Sequence, residues 1–181
     1  MNLKTKYLKE AVPAMKEKFG YKNDMAVPKI KKVTINIGLN RAIMEKDQKF
    51  VDLTTDTILR ITGQQPVKTL SQKSIAGFKI RQGLVVGLKV TLRGTKMYDF
   101  LEKLIRISFP RTRDFRGISM NNVDKQGNLS IGLKEQIVFP EISPESITKV
   151  HGLEIIITTS AKEKEKGIEL FKLIGFPFKK S

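Results

Sequence analysis

Lys32-Val33-Thr34-Ile35-Asn36-Ile37-Gly38 decides how this chain folds. In an extended backbone Val33, Ile35 and Ile37 fall on one side, while Thr34 and Asn36 fall on the other. That alternation builds a sheet with one face in a core and one face polar. Outward from it, residues 66–71 read as a short strand, and 84–92 as a longer one with Val86, Leu88, Val90 and Leu92 on one face. Gly127 and Asn128 signal a turn before a strand at 129–133. Residues 153–159, with Ile155, Ile156 and Ile157 in succession, read as an interior strand.

Helical spacing fills the intervals. Tyr7, Ala11, Ala14, Met15 and Lys18 share a helical face, with a register that Pro13 disturbs. Phe50, Leu53, Thr54, Ile58 and Ile61 form an apolar stripe that Gly63 ends and Pro66 keeps from resuming. A helix over 96–107 buries Met97, Phe100, Leu101, Leu104 and Ile105, with Pro110 after its end. Ser160 and Glu163 have the spacing of a capping box for a last helix that stops near Gly175. These elements predict an α+β fold: a single mostly antiparallel sheet, helices packed on one face, and a long basic projecting loop at 71–84. A length of 181 residues, with no low-complexity linker or internal repeat, fits one domain spanning 1–181.

Charge narrows the function. The chain carries 34 basic and 18 acidic groups, a net +16 that steers it toward polyanions. Half of that excess lies in residues 57–98, which hold eight Lys or Arg and no Asp or Glu. Within this run, Ser71-Gln-Lys-Ser-Ile-Ala-Gly-Phe-Lys-Ile-Arg-Gln-Gly83 suits a flexible arm laid against phosphates. Lys73, Lys79 and Arg81 would meet phosphates, and Gly77 and Gly83 would permit turns. Phe78 could stack on a nucleotide or fold back onto the body.

Asn36, Thr69, Ser71, Lys89, Thr91 and Arg93 lie on or beside strands and mix neutral donors and acceptors with charge. Duplex RNA, read by shape and by its 2′-hydroxyls across a shallow minor groove, suits that mixture. The plainer reading makes Lys89 and Arg93 ordinary solvated strand residues. Arg106, Arg111, Arg113 and Arg116, around Phe109, Pro110 and Phe115, either grip RNA through guanidinium forks or pair locally with Asp114. Both readings stand at this level.

Catalytic chemistry finds no assembly. There is no cysteine, and the single histidine, His151, precedes Gly152 and a strong strand, the place of a partly exposed turn residue. Glu163 and Glu165 alternate with Lys162, Lys164 and Lys166 as surface charges. The glycines at 83–87 and at 38 lack the residues that complete a phosphate loop or a dinucleotide fingerprint. No apolar run reaches the ~20 residues of a membrane span, and the first residues lack a signal-peptide core. A structured RNA-binding module and a basic nucleic-acid-processing enzyme remain.

Several longer motifs then separate these two. Val27-Pro-Lys, Gly63-Gln-Gln-Pro66, Ser74-Ile-Ala-Gly-Phe-Lys-Ile-Arg-Gln-Gly83 and Lys89-Val-Thr-Leu-Arg-Gly94 occur in that order. They are followed by Phe109-Pro-Arg-Thr-Arg-Asp-Phe-Arg-Gly117, Gly132-Leu-Lys-Glu-Gln-Ile-Val-Phe-Pro-Glu141, Ile155-Ile-Ile-Thr-Thr-Ser-Ala-Lys162 and Gly175-Phe-Pro-Phe178. Essentially end to end, the chain resembles the family of bacterial-type large-subunit ribosomal protein five.

The resemblance implies a non-enzymatic protein that holds 5S ribosomal RNA in the central protuberance of the large subunit. Its implied partners are 5S and 23S ribosomal RNA, P-site transfer RNA and, across a bridge, small-subunit protein thirteen. It implies neither cofactor, metal, membrane contact nor stable homo-oligomer, and a cytoplasmic place in the large ribosomal subunit, with bacteria and organelles both open as sources. Carried onto this sequence, the 5S surface comprises Asn36, Gly38, Gln64, Thr69, Ser71, Lys89, Thr91 and Arg93. The loop facing transfer RNA comprises Lys73, Gly77, Phe78, Lys79, Arg81 and Gln82, and the bridge Arg111, Arg113, Met120 and Asn121. Where many relatives place a second glycine after Gly38, this chain has Asn40 and then Arg41. Asn tolerates left-handed geometry, so the turn is expected to survive.

Overall fold

The computed structural model describes residues 2–39, 48–78, 80–142 and 150–179. Five strands form one sheet in the order β2-β3-β1-β5-β4, where β1 is Ile30–Gly38, β2 Val67–Leu70, β3 Val85–Leu92, β4 Leu129–Leu133 and β5 Leu153–Thr159. Helices pack around this sheet, giving the expected α+β class. On β1, Val33, Ile35 and Ile37 are buried while Thr34 and Asn36 are half-exposed, as the alternation requires. The chain forms two compact units, and β1, β3, β4 and β5 each contribute residues to both.

The first unit holds Met1–Val33, Leu92–Ile131 and Ile155–Ser181. Its first helical stretch runs through Leu3–Lys6, Tyr7–Ala11 and Val12–Phe19 without leaving helical backbone geometry. The middle piece is a π turn, with the Val12 N–H reaching back five residues to the Tyr7 carbonyl. The same device recurs at Leu104–Ser108, where the Phe109 N–H bonds the Leu104 carbonyl. Each π turn is followed at its second residue by a proline, Pro13 or Pro110. A proline in an unbroken α-helix collides with the carbonyl four residues back. The wider turn relieves that collision, so the helix expected to stop before Pro110 continues to Arg111.

The extra residue also rotates the buried face. Leu3, Tyr7, Ala11, Val12 and Met15 are inside, whereas Ala14 is half-exposed and Lys18 is not buried, against the expected stripe. The Leu3 N–H donates to Glu102 Oε2 at 3.2 Å, Lys6 Nζ to the Ile174 carbonyl at 3.1 Å, and Tyr7 Oη to the Pro28 carbonyl at 3.1 Å. Burial of Tyr7 pushes its phenol up to about 12. Phe109, Phe171 and Phe176 form an edge-on aromatic chain, with centroids 5.2 Å apart for Phe171 and Phe176 and 6.4 Å for Phe109 and Phe176. Truncating the fully buried Phe171 to Ala would cost roughly 3–5 kcal/mol.

The last helix, Lys164–Ile174, is not started by the expected capping box. Glu163 occupies the cap position without a side-chain bond to the helix backbone, and the Ser160 hydroxyl instead accepts the Lys29 N–H at 3.0 Å. Gly167 lies against the turn before β4, where a Cβ on it would sit 2.5 Å from the Gly127 Cα. Only glycine fits that approach. The turn itself is held by Asp124, whose carboxylate accepts from the Gln126 N–H at 2.9 Å and from the Asn128 N–H and Nδ2 at 2.8 Å.

The second unit holds Thr34–Thr91 and Gly132–Glu154. Its helix Gln48–Thr62 buries Phe50, Val51, Thr54, Ile58, Ile61 and Thr62. Leu53, expected inside, is 47% exposed, and Val51 takes its place. Thr54 and Thr62 tolerate burial because their hydroxyls bond the carbonyls of Phe50 and Ile58, each at 2.7 Å. Gly63, at φ +64°, ends the helix as expected.

Candidate nucleic-acid interface

The interface begins with the pleat of the second unit. Leu88 and Val90 of β3 are buried, so Gly87, Lys89 and Thr91 share the opposite face. β2 pairs antiparallel to β3 with Val67 opposite Lys89 and Thr69 opposite Gly87, which brings Thr69 and Val67 to that same face. A Cβ on Gly87 would lie 2.7 Å from the Ile37 carbonyl oxygen and 3.0 Å from Thr69 Oγ1. The missing side chain therefore lets the Thr69 hydroxyl lie over β3. Asn36, between buried Ile35 and Ile37, supplies an amide on β1, and Gly38 is exposed at its end. The resulting face offers amide and hydroxyl groups with one exposed cation, Lys89.

Gln64, expected on the 5S surface, also makes bonds within the protein. Its Nε2 donates to the Thr91 carbonyl at 3.2 Å, and its N–H donates to Thr62 Oγ1 at 3.2 Å. It ties the turn after the helix to β3. Arg93 belongs to the first unit, where it caps the helix Gly94–Lys103 in extended geometry and is exposed. Asn40 and Arg41 lie outside the described residues.

Residues 71–84 form a short ribbon as far as they are described. At its base the Ser71 N–H bonds the Leu84 carbonyl at 2.8 Å and the Gly83 N–H bonds the Ser71 carbonyl at 2.9 Å, with Gly83 at φ +83°. Farther out Ile75 and Ile80 exchange both backbone bonds, at 2.9 and 3.1 Å, and Ala76–Phe78 makes a single helical turn. The Ser71 hydroxyl is spent on the Lys73 carbonyl at 2.8 Å, and Ser74 Oγ accepts the Gln82 N–H at 3.0 Å. Lys73, Gly77, Arg81 and Gln82 are exposed; Lys79 lies outside the described residues. Phe78 is 67% exposed, which removes the reading in which it folds back onto the body.

Val67 and Leu70 are exposed apolar residues on β2, an edge strand. Sequence reading assigns them no part. Their signal is the absence of any partner stripe for so short a strand.

In the first unit Arg111, Arg113 and Asn121 lie at the surface and Met120 is half-exposed, the last two on the turn Met120–Asn122. Arg106 pairs with Glu102 at 2.7 Å along its helix. Among the described residues Asp114 makes no ion pair with its arginine neighbours. His151 is half-buried, edge-on to Phe50 with centroids 6.3 Å apart, and its ring nitrogens have no hydrogen-bond partner among the described residues. Burial holds its pKa below the usual value, against an opposing pull from the Gly152 backbone. Among the described residues no group of three His, Cys, Asp or Glu could hold a metal ion, and no helix is long and apolar enough to cross a membrane.

A cationic α+β protein with a sheet face of amides and hydroxyls and a ribbon of exposed cations has the features of the class of RNA-binding modules. Residues 23–81 match the family described as ribosomal protein L5, and residues 85–178 match the model of that ribosomal family's C-terminus. The large ribosomal subunit protein uL5 of Carboxydothermus hydrogenoformans is 51% identical over 176 residues, 97% of each chain. Those of a Thermoanaerobacter species and of Dictyoglomus turgidum are 50% and 51% identical over 178 residues, 98% of each chain. The chain belongs to the ribosomal protein L5 family, whose members are structural, non-enzymatic constituents of the large ribosomal subunit.

Proposed function

We propose that the chain, acting as one domain, attaches 5S ribosomal RNA to the large ribosomal subunit through the polar sheet face of its second unit. The observation that carries this is the pleat that presents Asn36, Thr69, Lys89 and Thr91 away from the core. Such a surface matches the 2′-hydroxyls and phosphates of a duplex minor groove. Gln64 and Ser71 belong to the same contact surface, and Gly38 lets the RNA backbone approach. Arg93 adds a cation.

The ribbon reaches a second RNA, P-site transfer RNA, with Lys73, Lys79 and Arg81 on phosphates, Phe78 against a nucleotide, and Gly77 and Gln82 at the contact. Bridge contact with small-subunit protein thirteen falls to Met120 and Asn121, with Arg111 and Arg113 as flanking cations. 23S ribosomal RNA completes the setting. Binding of the full chain to purified 5S RNA, titrated against salt, tests the central claim. Six phosphate contacts would lower affinity by roughly three orders of magnitude between 50 and 200 mM salt. Asn36→Ala with Thr91→Val should weaken 5S binding and erase part of its footprint; an unchanged footprint would remove the sheet face from the assignment.

A further inference from the structure

We propose that the outer edge of β2, Val67–Leu70, is a docking site for an acidic, extended polypeptide segment, which joins the sheet as a further strand. The partner is a protein, and the inference stands apart from the RNA reading above.

β2 ends the sheet order, and among the described residues no strand lies beyond it. Ser71 turns its main-chain groups inward: its N–H bonds the Leu84 carbonyl and its carbonyl accepts the Gly83 N–H. The register shift between Thr69 and Leu70 skips a residue of β3, so the alternation along β2 is unbroken. Main-chain groups of an antiparallel strand alternate in direction, and those of Lys68 and Leu70 therefore face outward. Among the described residues neither outward pair has a hydrogen-bond partner. Phosphate oxygens only accept, whereas this edge offers donors and acceptors by turns. Another polypeptide strand matches both, as in recognition by strand addition. Apolar side chains flank the edge on both faces, with Val67 68% exposed on the polar face and Leu70 56% exposed on the other.

Charge selects the occupant. Lys68 shares the face of Leu70, and Lys89 stands opposite Val67, so a cation lies beside the edge on each face. Lysine is a common guard of exposed strand edges. Here it repels a second copy of the chain, whose net charge is +16 and whose residues 57–98 hold no acid. A carboxylate is admitted. The Lys68 ammonium lies 3.7 Å from Asp52 Oδ1, and both side chains stay exposed. An exposed pair contributes little, so a carboxylate on the incoming strand can replace Asp52. With only Lys68 and Leu70 supplying main-chain bonds, opposite charges across the strands give much of the selectivity.

The test adds a capped synthetic peptide of valine, threonine and glutamate to the full chain and follows amide hydrogen exchange. The Lys68 and Leu70 amides should gain protection, and the same peptide N-methylated along its pairing edge should give none. A peptide with lysine in place of each glutamate should not bind. Lys68→Glu should weaken binding of the acidic peptide roughly tenfold. The peptide controls use the parent chain, so they decide the matter even where Lys68→Glu fails to fold. Binding that leaves both amides unprotected, or that survives N-methylation, would overturn the proposal. So would protection of these amides by self-association at high protein concentration, or by 5S RNA, with none from the peptide: the edge would then belong to a second copy or to RNA.

Discussion

The Gln64 side chain donates an amide proton to the Thr91 carbonyl at 3.2 Å, so one residue of the proposed RNA face holds the strand that carries another. Gln64→Ala should therefore destabilise the protein by about 1 kcal/mol and weaken 5S binding as a secondary effect. Thr91→Val should leave stability nearly unchanged, because Val suits a strand, and weaken 5S binding directly. Thermal melts with 5S titrations on both variants separate the two behaviours. Equal loss of stability in both would undo the distinction.

Replacing Lys73, Lys79 and Arg81 together by Ala should leave the fold and 5S affinity within error of the parent while weakening the contact with transfer RNA in assembled ribosomes. The ribbon closes through backbone bonds at Ser71, Ile75, Ile80 and Gly83, none of which needs those cations. Crosslinking yields to the two RNAs measure this directly, and matched losses would contradict it.

His151 makes stability depend on pH. Burial lowers its folded-state pKa below the ~6.5 of an exposed imidazole. The unfolded chain then binds the proton more readily, so this contribution is complete above the unfolded pKa. It is lost as pH falls from there toward the folded value. His151→Phe, whose ring can keep the edge contact with Phe50, should flatten that part of the profile. Urea midpoints from about pH 7.5 downward would reveal it, and parallel profiles for parent and variant would exclude His151 as the source.

Ser108 is fully buried, and its hydroxyl has no partner among the described residues. Ser108→Ala should be neutral or stabilising by up to about 1 kcal/mol, since a desolvated, unbonded hydroxyl is removed. A loss above roughly 1 kcal/mol in chemical denaturation would mean that the hydroxyl has a bonding partner.

The strands were legible because their signal is local and has period two. Val33, Ile35 and Ile37 on β1, and Leu88, Val90 and Leu92 on β3, needed no tertiary information to be placed inside. Helical faces were harder wherever the turn was not 3.6 residues. One added residue at Tyr7–Ala11 moved Val12 into the core in place of Ala14, and nothing in the local pattern announces it. Ser160 failed as a helix cap because Lys29, far away in sequence, competes for its hydroxyl. At the candidate interface the alternation revealed Asn36 and Thr91. The Gln64 tether and the docking of Lys179 beside Gly117 are long-range pairings that a linear reading cannot assign.

The two π turns have a further consequence for how the chain tolerates change in length. Each is a helix that has absorbed one surplus residue just ahead of a proline. Removing a residue from Tyr7–Ala11 would return the backbone to regular winding and drive the Pro13 ring into the turn before it. It would also swing every downstream side chain by about 100° around the axis. The same deletion on the solvent face of an ordinary helix leaves a shorter version of the same surface. Here the surplus residue and the proline form a matched pair, and an alteration to one is expected to survive only when the other changes with it.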